Sequence, residues 1–415
     1  MQAGVTSVSR SLPLIILGFV LGASAVAQGP RSSVDDVLRR DVTAGKVPGV
    51  VAMVVNADGV VYQGSFGARN ETAATPMSVD TIFRIASMTK PVTAVAVMQL
   101  VEVGKVKLDE PASTYLPEIG KAQVLDHFDA ETGEAVLRPP KSPVTVRELL
   151  SNTSGYAYDR WDDVLHKYRT KVLASGEQPA DFKEPLLFDP GTKWEYGTST
   201  TWLGRLVEAV SGQSLEEYFR QHILEPLGMA DTSFIVDPAK QSRLVTLHQR
   251  EDDGQLKEVP PRSMVPPKFY DGGGGLSSTA GDYAVFLRMI LNGGHLGTVR
   301  ILEPASIAMM EKNQIGALTL HPFKTTNPKQ SIDGMVPGGL DKFGLGFAVT
   351  SKAVHGRRSA GSIAWAGLDN TYFWIDPSNR MAAVIMMQVL PFLDAGPISV
   401  LNDFEGAVYE GSVNH

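Results

Sequence analysis

The chain has 415 residues, 43% hydrophobic and 20% charged, enough for one large globular domain or two. Formal net charge is −7 with no long basic run, which argues against nucleic acid as a partner. Cysteine is absent, so disulfides, thiolate chemistry and cysteine-ligated metal are excluded.

Residues 1–27 read as an export signal: Arg10, then the apolar run Leu12–Leu21, then Ala25-Val26-Ala27 before Gln28. The run is short for a bilayer span, so a cleaved leader is expected and an uncleaved anchor is the alternative. A periplasmic or secreted enzyme follows, with no stable membrane insertion after cleavage. Ser32–Ala44 has the spacing of a helix. Gly49–Val55 and Val60–Phe66, joined across Asp58-Gly59, predict a hairpin. Residues 88 to about 235 read as mostly helical. Within them, Thr145 and Ser214 sit where helix caps belong, and Gly212 is a helix stop. The polar stretches 120–143 and 315–342 read as loops, and the charged stretch 158–185 as surface. Leu244–Val259 alternates weakly, as strands do. Gly272–Gly275 precedes a helix expected over Tyr283–Leu291. Lacking a following Gly-Lys-Ser/Thr, the four glycines suit close packing or a turn better than a phosphate loop. Four β-rich runs follow (Phe343–Thr350, Ser359–Ala366, Thr371–Ile375 and Met381–Leu390), then a helix over Ile398–Tyr409. β-rich ends around a helical middle imply an α+β fold. The expected division is a sheet domain from residues 28–86 and 236–415, with a mostly helical domain of 87–235 between.

Three places carry candidate chemistry. In Ser87-Met88-Thr89-Lys90, Pro91 suits a first helical turn. Residues three apart share a helix face, so the Lys90 amine can reach the Ser87 hydroxyl. A serine needs a neighbour to take its proton, and Lys90 can do so only if its pKa falls from about 10.4 towards 7. A helix start also favours developing negative charge. In Trp194-Glu195-Tyr196, the tyrosine is a possible second member of a hydroxyl–amine relay. In Trp365-Ala366-Gly367-Leu368, Gly367 would let the Leu368 amide point at an oxyanion. Each has a plainer reading, respectively a capping serine, a core tyrosine and a strand end. The eight histidines (127, 166, 222, 248, 295, 321, 355 and 415) show no ligand spacing, and there is no H-E-x-x-H or G-x-S-x-G. No metal site or cofactor is expected.

Taken together, the motifs resemble the serine β-lactamase and penicillin-binding protein superfamily, in its class C branch, and most of all the family VIII carboxylesterases. The matching residues are Ser87-Met-Thr-Lys90, Thr153-Ser-Gly155, Pro190-Gly191, Trp194-Glu-Tyr196, Leu203-Gly204, Gly273–Ala280, Phe343-Gly-Leu-Gly-Phe347, Trp365-Ala-Gly367 and Tyr372–Pro377. The resemblance spans about residues 32–408. It implies a β-lactamase-like fold, an antiparallel sheet flanked by helices plus a helical domain, with the active site between. It also implies acyl-enzyme chemistry: Ser87 as nucleophile, Lys90 and Tyr196 sharing the base and acid roles, and the Ser87 and Leu368 N–H groups as oxyanion hole. Tyr158 matches an active-site tyrosine of some esterase relatives. Thr198 stands where the β-lactamases have Asn in Tyr-x-Asn, and Trp365-Ala-Gly367 stands where they have Lys-Thr-Gly. The latter suits an apolar wall for acyl or alkyl groups more than a β-lactam carboxylate, and makes Trp365, Gly367 and Tyr158 the substrate-binding candidates. The expected activity is hydrolysis of short-chain carboxylic esters. The alternatives are a β-lactamase, amidase or D-amino-acid peptidase, and a catalytically silent envelope binding protein.

Overall fold

A computed structural model of the chain describes residues 31–174, 184–260 and 269–412, together with positions 1, 2 and 4. Apart from those three positions, the leader expected over residues 1–27 lies outside the described residues. Among the described residues, no helix is long and apolar enough to cross a membrane.

The central sheet has eight antiparallel strands drawn from the stretches 49–76 and 340–386. They are β1 (Gly49–Asn56), β2 (Val60–Asn70), β3 (Thr75–Pro76), β4 (Leu340–Phe343), β5 (Ala348–Thr350), β6 (Ile363–Gly367), β7 (Thr371–Asp376) and β8 (Met381–Met386). Their spatial order is β4-β5-β6-β7-β8-β1-β2-β3. The β1–β2 turn forms as the Asp-Gly signal predicts. The Asn56 carboxamide oxygen accepts from the N–H groups of Asp58 and Gly59, both at 2.9 Å. β8 joins the two stretches, with Val51 opposite Met386 and Asn56 opposite Met381.

Five of the longer helices among the described residues frame the sheet and the site: α1 (Arg31–Thr43), α2 (Thr89–Glu102), α3 (Ser199–Ser211), α4 (Ala280–Leu291) and α5 (Ala395–Ser412). Both sheet faces are covered. Neighbouring residues on a strand point to opposite faces. Trp374 packs on Phe404 of α5, at 5.6 Å between ring centroids, and Phe373 packs on Tyr283 of α4, at 5.3 Å. Double coverage is why β1, β6, β7 and β8 are buried almost throughout and read as continuous apolar runs, not alternating ones.

Several expectations need correction. The stretch 120–143 is not a plain loop, since Val124–Phe128 and Ala135–Arg138 pair as a hairpin. Its turn forms on the Asp129 carboxylate, which accepts from the N–H groups of Glu131 and Thr132. Loop 315–342 ends by entering the sheet as β4. The helix expected over Ser214–Leu224 has α geometry only at Leu215–Phe219, then widens to a π-turn at Arg220–Leu224. The run Met381–Leu390 breaks at Met387-Gln388, and Val389-Leu390 pairs instead with His248–Arg250. Gln388 explains the break. Its side chain leaves the ladder to accept from Arg84 N–H at 2.9 Å and donate to Asp369 at 2.7 Å.

Candidate active site

Ser87 sits between a short strand and α2. Ile82–Arg84 pairs with Ser277–Thr279, and Ile85 N–H donates to Leu276 O at 3.1 Å. Ala86 then turns the chain with φ +42°, a left-handed conformation that costs a non-glycine residue about 1–3 kcal/mol. Ala86–Met88 forms one 3₁₀ turn and α2 begins at Thr89, so Ser87 lies at the positive end of the helix. Buried hydrogen bonds hold this turn. The Tyr283 hydroxyl donates to Met88 O at 2.9 Å, and Leu276 N–H donates to Thr89 Oγ1 at 3.1 Å.

Lys90 points back at Ser87 as the three-residue spacing requires. Its Nζ donates to Ser87 Oγ at 3.3 Å, Tyr158 Oη at 3.1 Å and the Gly273 carbonyl at 2.6 Å. The glycine run is thus the cradle of the site, with Gly272 O also accepting from Thr93 Oγ1 at 2.7 Å. Lys90 is 2% exposed. Burial alone opposes its charge, but the phenolic oxygens of Tyr158 and Tyr196 and the Asp271 carboxylate outweigh it, holding the Lys90 pKa above its ordinary value. That direction is opposite to the fall towards 7 that a lysine base requires. Burial pushes the Tyr158 phenol up, against the opposing pull of Lys90.

Two tyrosines bracket that charge. Lys90 Nζ lies 4.8 Å from the Tyr196 ring centroid and 5.2 Å from that of Tyr158. The two rings meet edge to face at 5.4 Å. Gly197 allows their approach, because a Cβ there would fall 2.2 Å from Tyr156 O and 2.4 Å from Ala157 Cα. Trp365, Trp161 and Phe323 pack around Tyr196 at centroid distances of 4.9, 5.3 and 5.6 Å.

Gly367 ends β6 against the backbone that carries Ser87. A Cβ at this position would sit 2.4 Å from Ile85 O and 2.2 Å from Thr371 Oγ1. Leu368 follows, in the wall of the same cavity as Ser87. Trp365 is placed differently from the acyl-binding wall expected of it. It lies buried behind Tyr196, donating its indole N–H to the tyrosine hydroxyl at 3.3 Å, and borders a separate pocket with Trp194, His321 and Phe323. Alternation along β6 turns this side chain away from the cavity that Leu368 reaches.

The cavity over Ser87 has a volume of about 490 Å³. Beyond Ser87, Tyr158 and Leu368, its wall includes Arg160, Trp161 and Asp271, none of the three singled out by sequence. The Asp271 carboxylate accepts from Thr201 Oγ1 and Gly273 N–H, both at 2.7 Å, and so fixes the carbonyl that holds Lys90. Position just before the glycine run was the available signal for Asp271; Arg160 lay in a stretch read as charged surface. A further unforeseen group, His321, pairs with Glu195 at 3.1 Å beside Tyr196. The Glu195 carboxylate raises the His321 pKa to about 9. Among the described residues, no group of three or more His, Asp or Glu side chains is placed to hold a metal ion.

A serine hydroxyl at a helix start, a buried lysine amine beside it and two tyrosines around that amine define the class: enzymes that move acyl groups from esters or amides. The chain belongs to the beta-lactamase family, whose model matches residues 34–400. It is 30% identical to the monacolin J acid methylbutanoyltransferase of Aspergillus terreus over 415 aligned positions, covering 95% of this chain and 98% of that protein. It is also 30% identical to the lovastatin esterase of Penicillium rubens, covering 86% and 93%. Among solved structures, a variant of simvastatin synthase from Aspergillus terreus superposes with TM-score 0.80 at 29% identity, covering 94% of this chain and 97% of that one. The beta-lactamase-like fold and membership of the hydrolase and acyltransferase superfamily are therefore established.

Proposed function

We propose that the protein is a serine carboxylesterase that cleaves esters of small carboxylic acids through a Ser87 acyl-enzyme. The observation that carries this reading is the chain of contacts Ser87 Oγ–Lys90 Nζ–Tyr158 Oη, 3.3 and 3.1 Å, beside a cavity of about 490 Å³. That volume suits a small organic substrate. Ser87 Oγ attacks the ester carbonyl carbon. Its proton passes to the Lys90–Tyr158–Tyr196 cluster, one member of which enters the step deprotonated, as free amine or phenolate. The carbonyl oxygen gains charge at the Ser87 and Leu368 N–H groups. The cluster returns the proton to the departing alkoxide, and water then repeats the sequence in reverse to release the acid. Trp365 at the Lys-Thr-Gly position and Thr198 at the Tyr-x-Asn position support esters over β-lactams.

Transfer of the acyl group to an alcohol is a second reading. It is favoured by the relative named as a methylbutanoyltransferase, whereas the one named as an esterase, at the same 30% identity, supports the first reading. The leader over residues 1–27 adds the proposal of a periplasmic or secreted enzyme beginning at Gln28. The test is turnover of p-nitrophenyl acetate, butyrate and octanoate, with and without added alcohol, beside a chromogenic cephalosporin. Ester turnover lost in Ser87→Ala supports the proposal. Cephalosporin turnover exceeding ester turnover rejects it, and an alcohol-dependent rise with ester as product selects the transferase. Inertness to every substrate favours a binding protein.

A further inference from the structure

Arg160 lines the cavity two residues beyond Tyr158. Its guanidinium carbon lies 5.5 Å from the Tyr158 ring centroid and 5.4 Å from that of Trp161, so aromatic rings hold it in place. Its Nε is buried and has no hydrogen-bond partner. Among the described residues no carboxylate pairs with it. The adjacent Asp159 pairs with Arg169, at 3.4 Å. The two carboxylates of the cavity wall are already engaged, Asp271 by Thr201 and Gly273, Asp369 by Gln388 at 2.7 Å. An arginine presented to a cavity by ring packing, with a buried N–H left over, retains its capacity for a planar anion. Leaving a buried donor unmatched is costly, and a ligand oxygen would remove that cost.

We infer that Arg160 receives a carboxylate of the substrate, so that the preferred substrate is an ester carrying a second, free carboxylate. This rests on the esterase reading above and names its substrate class. Arg84 lines the same wall, but so do the Asp271 and Asp369 carboxylates, which repel a doubly charged phosphate more than a singly charged carboxylate.

The test uses matched acids and methyl esters. Mono-4-nitrophenyl succinate is compared with its methyl ester, which places the charge on the acyl side. 4-Acetoxybenzoate is compared with methyl 4-acetoxybenzoate, which places it on the alcohol side. In at least one pair the full-length enzyme should favour the acid in kcat/KM by ~10- to 100-fold, the span of a charge-assisted hydrogen-bonded pair. That ratio should collapse in Arg160→Gln, mainly through KM, and shrink as salt is raised. Arg160→Lys keeps charge but loses the fork. It should retain only part of the ratio, which keeps the test open where the glutamine variant does not fold. Equal turnover of acid and methyl ester in both pairs overturns the inference, as does a ratio unchanged in either variant. Absence of turnover on all four compounds, with no acylation of Ser87, overturns the esterase reading and this inference with it.

Discussion

Two groups of residues build the active site, and they are held by different forces. The first comprises Ser87, Lys90 and the Gly272-Gly273 carbonyls. It is fixed by buried hydrogen bonds donated by Tyr283, Leu276 and Thr93 and by one that the Asp271 carboxylate accepts from Gly273 N–H, each between 2.7 and 3.1 Å. The second comprises Tyr158, Tyr196, Trp161, Phe323 and Trp365. Mainly ring packing positions it, with centroids 4.9 to 5.7 Å apart. Hydrogen bonds of the first kind tolerate little displacement, because a buried group left without its partner is costly. Packed rings lose stabilisation by degrees as they shift. Losses in the first group should therefore be nearly complete. Those in the packing of the second should be graded, except where a phenol oxygen takes part in proton transfer.

The largest expected effect is Ser87→Ala, which removes the nucleophile and should reduce ester turnover to the uncatalysed background in a p-nitrophenyl butyrate assay. Lys90→Ala comes next. It should lower the acylation rate by roughly 10²- to 10⁴-fold in a stopped-flow burst measurement, the range of positioned proton-transfer groups. Tyr158→Phe and Tyr196→Phe probe the phenols in the same way. If Tyr158→Phe equals Lys90→Ala and Tyr196→Phe is mild, proton transfer runs through Tyr158 and the equal sharing assumed for the cluster is wrong. Gly367→Ala tests the join between β6 and the Ser87 turn. Its methyl would meet Ile85 O at 2.4 Å, so unfolding in urea should show a loss of about 1–3 kcal/mol, with activity reduced further than stability alone explains.

The smallest effect concerns His321, which is half exposed and braces Glu195 next to Tyr196. Its folded pKa, about 9, lies above the ordinary histidine value. The ion pair therefore contributes fully below about pH 6.5, and its contribution is lost as pH rises through 9. A shallow alkaline decline in activity with a midpoint near 9, absent from His321→Gln, is expected in a pH profile. A decline that persists in the variant assigns it to another group.

How much of this was legible in the sequence follows the same division. Ser87 and Lys90 are three residues apart on one helix start, so local spacing brings them together. Asp58-Gly59 and the Thr145 cap are equally local, and both form as read. Tyr196 stood out in its own motif and took its role from family resemblance, and Tyr158 was named through that resemblance alone, since no spacing links either to Lys90. The Gly273 carbonyl as the shortest acceptor of Lys90 was invisible, because a backbone oxygen has no residue signature. Phe323 and His321 reach the site from the loop 315–342, and only the tertiary fold places that loop beside Tyr196. The Asp271 carboxylate beside Lys90 was invisible for a related reason, and it raises the Lys90 pKa where burial alone would lower it. Trp365 was assigned to the correct strand but the wrong side of Tyr196, a matter of one residue's alternation on β6.

The central claim is that Ser87 carries the acyl group. It is tested most directly by quenching the enzyme in acid during turnover of p-nitrophenyl butyrate and mapping its peptides by mass spectrometry. A butyryl adduct on the peptide containing Ser87, forming at least as fast as turnover and absent from Ser87→Ala, is the predicted result. Undiminished turnover in Ser87→Ala, or a kinetically competent adduct on another residue, would contradict it.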